Sequence, residues 1–405
     1  MKIRIKKSLA NGVVAPPPSK SYAHRILIAS ALANGESDVF GIIPSDDMKA
    51  TENCLKALGA DIVAGKRENE FLIKGIGKVS KAEKRVFECN ESGSTLRFFI
   101  PIALLGGGVC EFRAKPRLIA RGIEVYEQIF KEQNINFSKT EDTIVLSGSL
   151  KGGEFSVRGD ISSQFISGLL FALPLLDTDS TVNLTTNLES KEYVDITIDV
   201  LRQFGIVIEK RENSYFIKGN QTYKAIKNIE VEKDLSNAAF LEAFNLISNQ
   251  LTVTGVNKNS LQPDRVYIDL FEKLKNGGEI IDISQCPDLA PVLFSVSAMY
   301  NGAHFTGTRR LKIKESDRAE AMKEELAKFG IWVEVFENDA IVHAQEIKKP
   351  TVPLSSHSDH RIVMALSVLA SITGAEIEGA ENVNKSYPDF FKVISSLGIE
   401  VEYEV

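Results

Sequence analysis

The sequence predicts an α/β protein of two similar domains, each built from three repeated units. Three observations carry that prediction. First, a helix whose last turn reads apolar-x-x-apolar, then Gly or Asn, then a strand, occurs six times. The copies begin at Leu55, Phe130, Leu201, Phe271, Leu326 and Ile394, with breaks at Gly59, Asn134, Gly205, Gly277, Gly330 and Gly398. Gly and Asn tolerate the left-handed backbone that ends a helix. Second, a small-residue turn followed by a strand also occurs six times, near Ala33, Gly106, Asp179, Ser248, Asn301 and Thr373. Third, the copies are mostly about seventy residues apart, the period of a large repeated unit, with one shorter step between the fourth and fifth. Three units per domain fit the 405 residues better than one barrel of six. The polar segment 219–233 is the expected crossover. Periodicity does not say where the N-terminal strand, residues 1–7, pairs.

Composition excludes several function classes. Hydrophobic residues make up 43% and charged residues 25%, with a net charge of −6, which argues against nucleic-acid or membrane-surface binding. No N-terminal signal and no membrane-spanning run is expected. Cys54, Cys89, Cys110 and Cys286 lack CxxC spacing and read as free thiols of a reducing cytoplasm. The five histidines form no metal-binding pattern, so no metal site is expected.

Residues 309–318, RRLKIKESDR, concentrate five cations and two carboxylates between a strand and a helix. A solvated charged loop is the ordinary reading of such a run, but similar motifs recur before other helices. In PPPSKSYAHR, Ser19 and Ser21 suit a helix start, and Lys20 and Arg25 stand near free backbone N–H groups that suit an anion; plain capping is the alternative. In NESGSTLRFF, Gly93 permits close approach to the backbone, and Arg97 suits an anion or a carboxylate equally. Arg117 and Arg121 flank a turn. Ser162, Ser163 and Gln164 can cap a helix or donate to phosphate oxygens. Ser190 and Tyr193 offer hydroxyls, with capping an adequate alternative. Asp288 follows a proline and reads as an N-cap. Arg361 opens a helix, where the dipole disfavours a cation, so an anionic ligand is one reason for it. Together these cations predict a small polyanion as ligand. No Gly-rich nucleotide loop is present.

The ordered set SKSxxxR, SGSTLR, SSQF, SKxYxD, KESDR, DHRxxMA and KSYPDF resembles the 3-phosphoshikimate 1-carboxyvinyltransferases, or EPSP synthases, over essentially the whole chain. The resemblance implies two domains of three βαβαββ units, an inside-out α/β barrel with the substrates in a cleft, divided as residues 1–15 plus 230–405, with the N-terminal strand returning to the C-terminal half, and 16–229. It implies transfer of the enolpyruvyl group of phosphoenolpyruvate to the 5-hydroxyl of shikimate 3-phosphate on the path to chorismate and aromatic amino acids. No cofactor and no metal is implied. A cytoplasmic monomer acting on these small molecules is expected, with neither nucleic acid nor membrane as partner.

Carried over by motif, Lys20 touches both substrates. Ser21, Arg25, Ser162, Ser163, Gln164, Ser190, Tyr193, Asp288 and Lys314 match the shikimate 3-phosphate side. Gly93, Arg121, Gln164, Arg318, Arg361 and Lys385 match the phosphoenolpyruvate side. Asp288 and Glu315 match the acid/base pair, with Lys20 beside them as a catalytic residue. Glu91, Pro17-Pro18 and Arg310 depart from the family pattern, the first two near the pocket that glyphosate targets. A rival reading, transfer to UDP-N-acetylglucosamine, requires a reactive loop cysteine such as Cys89 or Cys110. RNA-end processing and non-catalytic anion binding are the remaining alternatives.

Overall fold

A computed structural model describes residues 1–277 and 280–404. The chain forms two compact units, Pro18–Glu232 and Met1–Pro17 with Lys233–Val405. Each has its own apolar core. No helix among the described residues is long and apolar enough to cross a membrane.

In the first unit, three four-stranded sheets share one plan. A strand pairs in parallel with the next, and a hairpin adds two antiparallel strands on the far side. One sheet orders Lys84–Asn90, Val109–Ala114, Thr143–Ser147 and Asn136–Lys139; another orders Glu154–Val157, Ser180–Leu184, Ser214–Ile217 and Ile208–Lys210. The third is completed out of sequence, by Ile229–Glu230 pairing in parallel with Glu36–Phe40. The polar segment 219–233 therefore ends as a strand of the first unit before the chain crosses over.

Among the described residues, the second unit holds two such sheets and one reduced to a parallel pair, Gly12–Val14 with Leu251–Val253. The short step in the sequence repeat marks this reduction. After Gly277, the next described strand, Ile280–Asp282, opens the following sheet by pairing with Gly302–Thr306. The N-terminal strand Lys2–Ile5 lies between Ala375–Glu378 and Val401–Glu404, antiparallel to both. Its alternation explains the insertion: Ile3 and Ile5 are buried, while Lys2 and Arg4 reach Glu376 and Glu404 on the neighbouring strands.

The first helix of each repeat is buried along most of its length, as in Lys20–Leu32, Gly93–Ala103, Ser163–Ala172 and His360–Thr373. These helices are apolar nearly all round, as core helices must be. The six predicted breaks, Gly277 included, all take positive φ.

Helices Gly93–Ala103 and Ser163–Ala172 pack closely at Gly168, where a Cβ would collide with the Arg97 carbonyl oxygen and the Tyr126 hydroxyl. Gly168→Ala is expected to cost about 1–3 kcal/mol, as overpacking typically does. A chemical-denaturation midpoint equal to wild type would show that the two helices can separate freely.

Candidate functional site

The site motifs sit at equivalent points of the repeats, the starts of the first and second helices. In the first unit, Ser19 caps Lys20–Leu32 by accepting from the Tyr22 amide, which leaves Lys20 as the first helical residue. The Lys20 ammonium lies 2.7 Å from Asp47 Oδ2. Asp47 is in the first turn of Asp46–Leu58 and went unnoticed in the motif reading.

Arg25 is buried, and burial lowers it to about 10. It donates to Thr197 Oγ1 at 2.7 Å, to the Ser21 carbonyl at 2.7 Å and to the Tyr193 carbonyl at 2.9 Å. Its guanidinium also covers the Phe98 ring. Arg25 thus ties together the segments that carry Ser21 and Tyr193.

A buried hydroxyl chain fixes a second set of helix starts. His24 Nδ1 meets Thr51 Oγ1 at 2.7 Å, Thr51 meets Thr95 at 2.7 Å, and Thr95 donates to Ser92 at 2.7 Å. Burial pushes His24 down to about 3, so it serves as a neutral member of the chain. Ser92 then caps Gly93–Ala103.

At Gly93 an added Cβ would stand 3.3 Å from Arg121 Nη1. The missing side chain is what lets the Arg121 guanidinium lie against this helix start. Arg97 donates from Nη1 to Gln164 Oε1 at 2.7 Å, and Gln164 Nε2 donates to Ser94 Oγ at 3.0 Å. Arg97 thus links this helix to the start of Ser163–Ala172 through an amide oxygen. Ser162 caps Ser163–Ala172 and accepts from the Gln164 amide. Ser190 is left-handed (φ 54°) and buried, and its side chain makes no cap bond to the following helix Lys191–Gln203. A non-Gly residue held there is strained, and capping does not account for it.

In the second unit Arg318 is the first residue of Arg318–Lys328 and is 1% exposed. It meets three carboxylates: Asp288 Oδ1 at 2.7 Å, Glu315 Oε2 at 2.8 Å and Asp359 Oδ2 at 2.9 Å. Burial opposes its charge, but Asp359, Glu315 and Asp288 outweigh burial and raise its pKa. Asp288 in turn meets three cations: Arg318, Arg361 Nη2 at 2.9 Å and Lys314 Nζ at 3.4 Å. Burial opposes its charge as well. Arg361, Lys314 and Arg318 nevertheless hold its carboxyl well below the usual range.

One sequence expectation is corrected here. Asp288 is not an N-cap: Leu289 precedes the helix Ala290–Met299, with no side-chain cap bond, because the cations have claimed the Asp288 carboxylate. At the start of its helix, Arg361 has an anionic partner in Asp288. Asp359 caps the same helix, His360–Thr373, through Oδ1 while Oδ2 holds Arg318. Lys385 is buried at the end of the turn Ala380–Lys385. Arg310 is buried and donates to the Ser284 carbonyl. Lys115 approaches Glu91 at 3.4 Å. Glu324, Glu325 and His357 lie close enough to share a cation, but Lys328 Nζ already sits 2.9 Å from both Glu325 oxygens.

Cys89 and Cys110 are fully buried, and burial pushes the Cys110 thiol up to about 11. Neither has the exposed, thiolate-favouring setting of a reactive cysteine.

The family model for EPSP synthase (3-phosphoshikimate 1-carboxyvinyltransferase) matches residues 4–394. The chain belongs to the EPSP synthase family. It is 40% identical to the 3-phosphoshikimate 1-carboxyvinyltransferase of Clostridium kluyveri, over 99% of this chain and 98% of that one. It is 38% identical to that of Clostridioides difficile, over 99% and 98%. An EPSP synthase structure from Acinetobacter baumannii superposes with a TM-score of 0.80 at 22% identity, covering 99% of this chain and 100% of that one. The enolpyruvyl transferase NikO from Streptomyces tendae gives 0.73 at 14% identity, covering 99% and 98%. These two likenesses extend the family fold.

Removing one partner of a buried ion pair leaves an uncompensated charge. Asp359→Ala is therefore expected to destabilise by about 3–5 kcal/mol, because Asp359 is 0% exposed beneath Arg318. Denaturant unfolding monitored by circular dichroism reads the loss, and a midpoint within error of wild type would contradict the pairing.

Proposed function

We propose that this chain transfers the enolpyruvyl group of phosphoenolpyruvate to the 5-hydroxyl of shikimate 3-phosphate and releases phosphate, as an enzyme of chorismate and aromatic amino acid biosynthesis. One observation carries the reading beyond family membership. Asp288, held by Arg318, Arg361 and Lys314, stands beside a second carboxylate, Glu315, on the same arginine. The reaction needs this combination: cations for two anionic substrates, and two carboxylates to move protons.

The hydroxyl oxygen bonds to C2 of phosphoenolpyruvate while its own proton leaves and the C3 methylene gains one. Loss of a C3 proton and breakage of the C2–O bond to phosphate then restore the double bond. Asp288 and Glu315 divide the proton transfers. With all three cations on it, Asp288 is a weak base. Bound phosphate and carboxylate groups share those cations, and its basicity rises when the substrates are in place. The cations also hold two anions together and stabilise developing charge.

Lys20, Ser21, Arg25, Ser162, Ser163, Gln164, Ser190, Tyr193, Asp288 and Lys314 are assigned to shikimate 3-phosphate, Arg25 also tying together the segments of Ser21 and Tyr193. Lys20, Gly93, Arg121, Gln164, Arg318, Arg361 and Lys385 are assigned to phosphoenolpyruvate. We place the enzyme as a monomer in the cytoplasm. Its four buried free cysteines suit a reducing compartment.

Phosphate release from phosphoenolpyruvate, assayed with and without shikimate 3-phosphate, tests the reading: release must require the second substrate. Release without it, or none with both, would overturn the assignment. Glu315→Gln and Asp288→Asn are expected to bind both substrates and lose at least about 100-fold in turnover, the low end for a general acid or base. Near-wild-type turnover in either variant would remove that residue from the mechanism.

Burial lowers Lys314 to about 8, with Arg310 and Arg318 adding to the effect against Asp288 and Glu315. Its ammonium is thus present below about 8 and lost above. The KM for shikimate 3-phosphate should rise as pH passes that value, and Lys314→Arg, which stays charged, should flatten the rise. A pH-independent KM in the wild type would contradict this role.

A further inference from the structure

Five repeats place assigned residues at their helix starts. The two-stranded repeat contributes none of the residues assigned above, yet its equivalent positions also carry chemistry. Ser236 lies in the first turn of Leu235–Ser248. Asp264 lies in the turn Pro263–Val266, which runs into Tyr267–Asn276. Arg361 Nη1 donates to Ser236 Oγ, and the Ser236 hydroxyl stands near enough to the Asp264 carboxyl to favour its ionised form. Asp264 is 3% exposed, and its Oδ1 is buried with no hydrogen-bond partner.

A buried carboxylate with one oxygen lacking a donor is costly, and retaining its proton relieves most of that cost. The charges facing Asp264 add to the effect. Asp288 and Asp234 oppose ionisation, while Arg361 and the Ser236 hydroxyl favour it. On its own turn, Arg265 is directed to the carbonyls of Ser260 and Gln262. On the following helix, Tyr267 responds to Glu242. Burial and Asp288 dominate, and push Asp264 up to about 7.

We propose that Asp264 is a positioning residue for the transfer reaction: acting through Ser236, its neutral carboxyl leaves the Arg361 guanidinium to Asp288 and the incoming anion, and its ionised form draws that guanidinium away. The inference rests on the function proposed above. The neutral form prevails below about 7, and ionisation above it polarises the Ser236 hydroxyl and makes its oxygen a stronger acceptor for Arg361. A third carboxylate then competes for one guanidinium. The proton passes to solvent and no covalent step is involved.

The test compares kcat and KM for phosphoenolpyruvate from about pH 6 to about pH 9 in wild type, Asp264→Asn and Ser236→Ala. In wild type, kcat/KM should fall as pH rises through neutrality, mainly through KM, toward the roughly tenfold per pH unit of a single ionisation. Asp264→Asn cannot ionise and should lose this limb, retaining only the later one from Lys314. Ser236→Ala, which keeps Asp264 but breaks the relay, should lose it too. It carries the test if the first variant does not fold. Profiles identical to wild type would overturn the proposal. Carboxyl NMR of aspartate-labelled wild-type protein supplies a readout independent of activity. A resonance titrating near neutrality, and absent from Asp264→Asn or shifted by Ser236→Ala, is expected. Aspartate resonances that all stay ionised across this range would overturn the proposal even in an inactive protein, whereas failure of the transfer reaction itself would appear as wild-type protein that releases no phosphate at any pH.

Discussion

An arginine with 1% of its surface exposed needs partners in place of the water it has lost, and Arg318 has three carboxylates. Each ties it to a different segment. Asp288 precedes the helix Ala290–Met299, Glu315 is in its own loop, and Asp359 caps His360–Thr373. The desolvation cost of such a cluster is repaid only if every member is paired, and this demand fixes several backbone segments at once. Lys314 and Arg361 then reach Asp288, so three cations and three carboxylates balance formally. The cluster is built from groups that anionic ligands can re-partition.

The same economy appears in the first unit with weaker bonds. Ser19, Ser92 and Ser162 cap successive core helices, and Arg25, Thr51, Thr95 and Gln164 bind the capped ends to one another. Repetition of one supersecondary unit explains the layout. The start of a core helix is buried on its flanks and open at its end, where backbone N–H groups lack partners. Side chains placed there converge without a dedicated loop. The family resemblance and the proposed transfer reaction both draw on this arrangement of helix starts.

Much of this was legible in the sequence, for identifiable reasons. Helix breaks such as Gly59 and Gly330 are local signals, and six copies of one local signal reveal the repeats. The motif residues were visible because Lys, Arg and Ser before an apolar helix are conspicuous. What could not be read was which partner each would choose. Asp288 looked like a cap because capping is local, whereas its true partners lie 30 and 73 positions away. Asp47 and Asp359 stand in first turns or caps of helices, where an acid is common enough to carry no signal of its own. Ser236 and Arg361 are 125 positions apart, so Asp264 had no visible reason to matter. Only its equivalent position in the two-stranded repeat could have drawn attention to it. The N-terminal strand shows the same limit, since Ile3 and Ile5 announce a strand but not its neighbours.

Asp288 and Arg318 act as one unit that holds this cluster together. A double-mutant cycle on folding stability tests it most directly, using Asp288→Asn, Arg318→Gln and the pair. Strong non-additivity is expected, a coupling at or above the upper part of the roughly 0.5–3 kcal/mol seen for residues in contact, because either single change strands charges that the double change removes together. Additive effects would show that the two residues are neighbours without being partners, and that the cluster does not depend on their pairing.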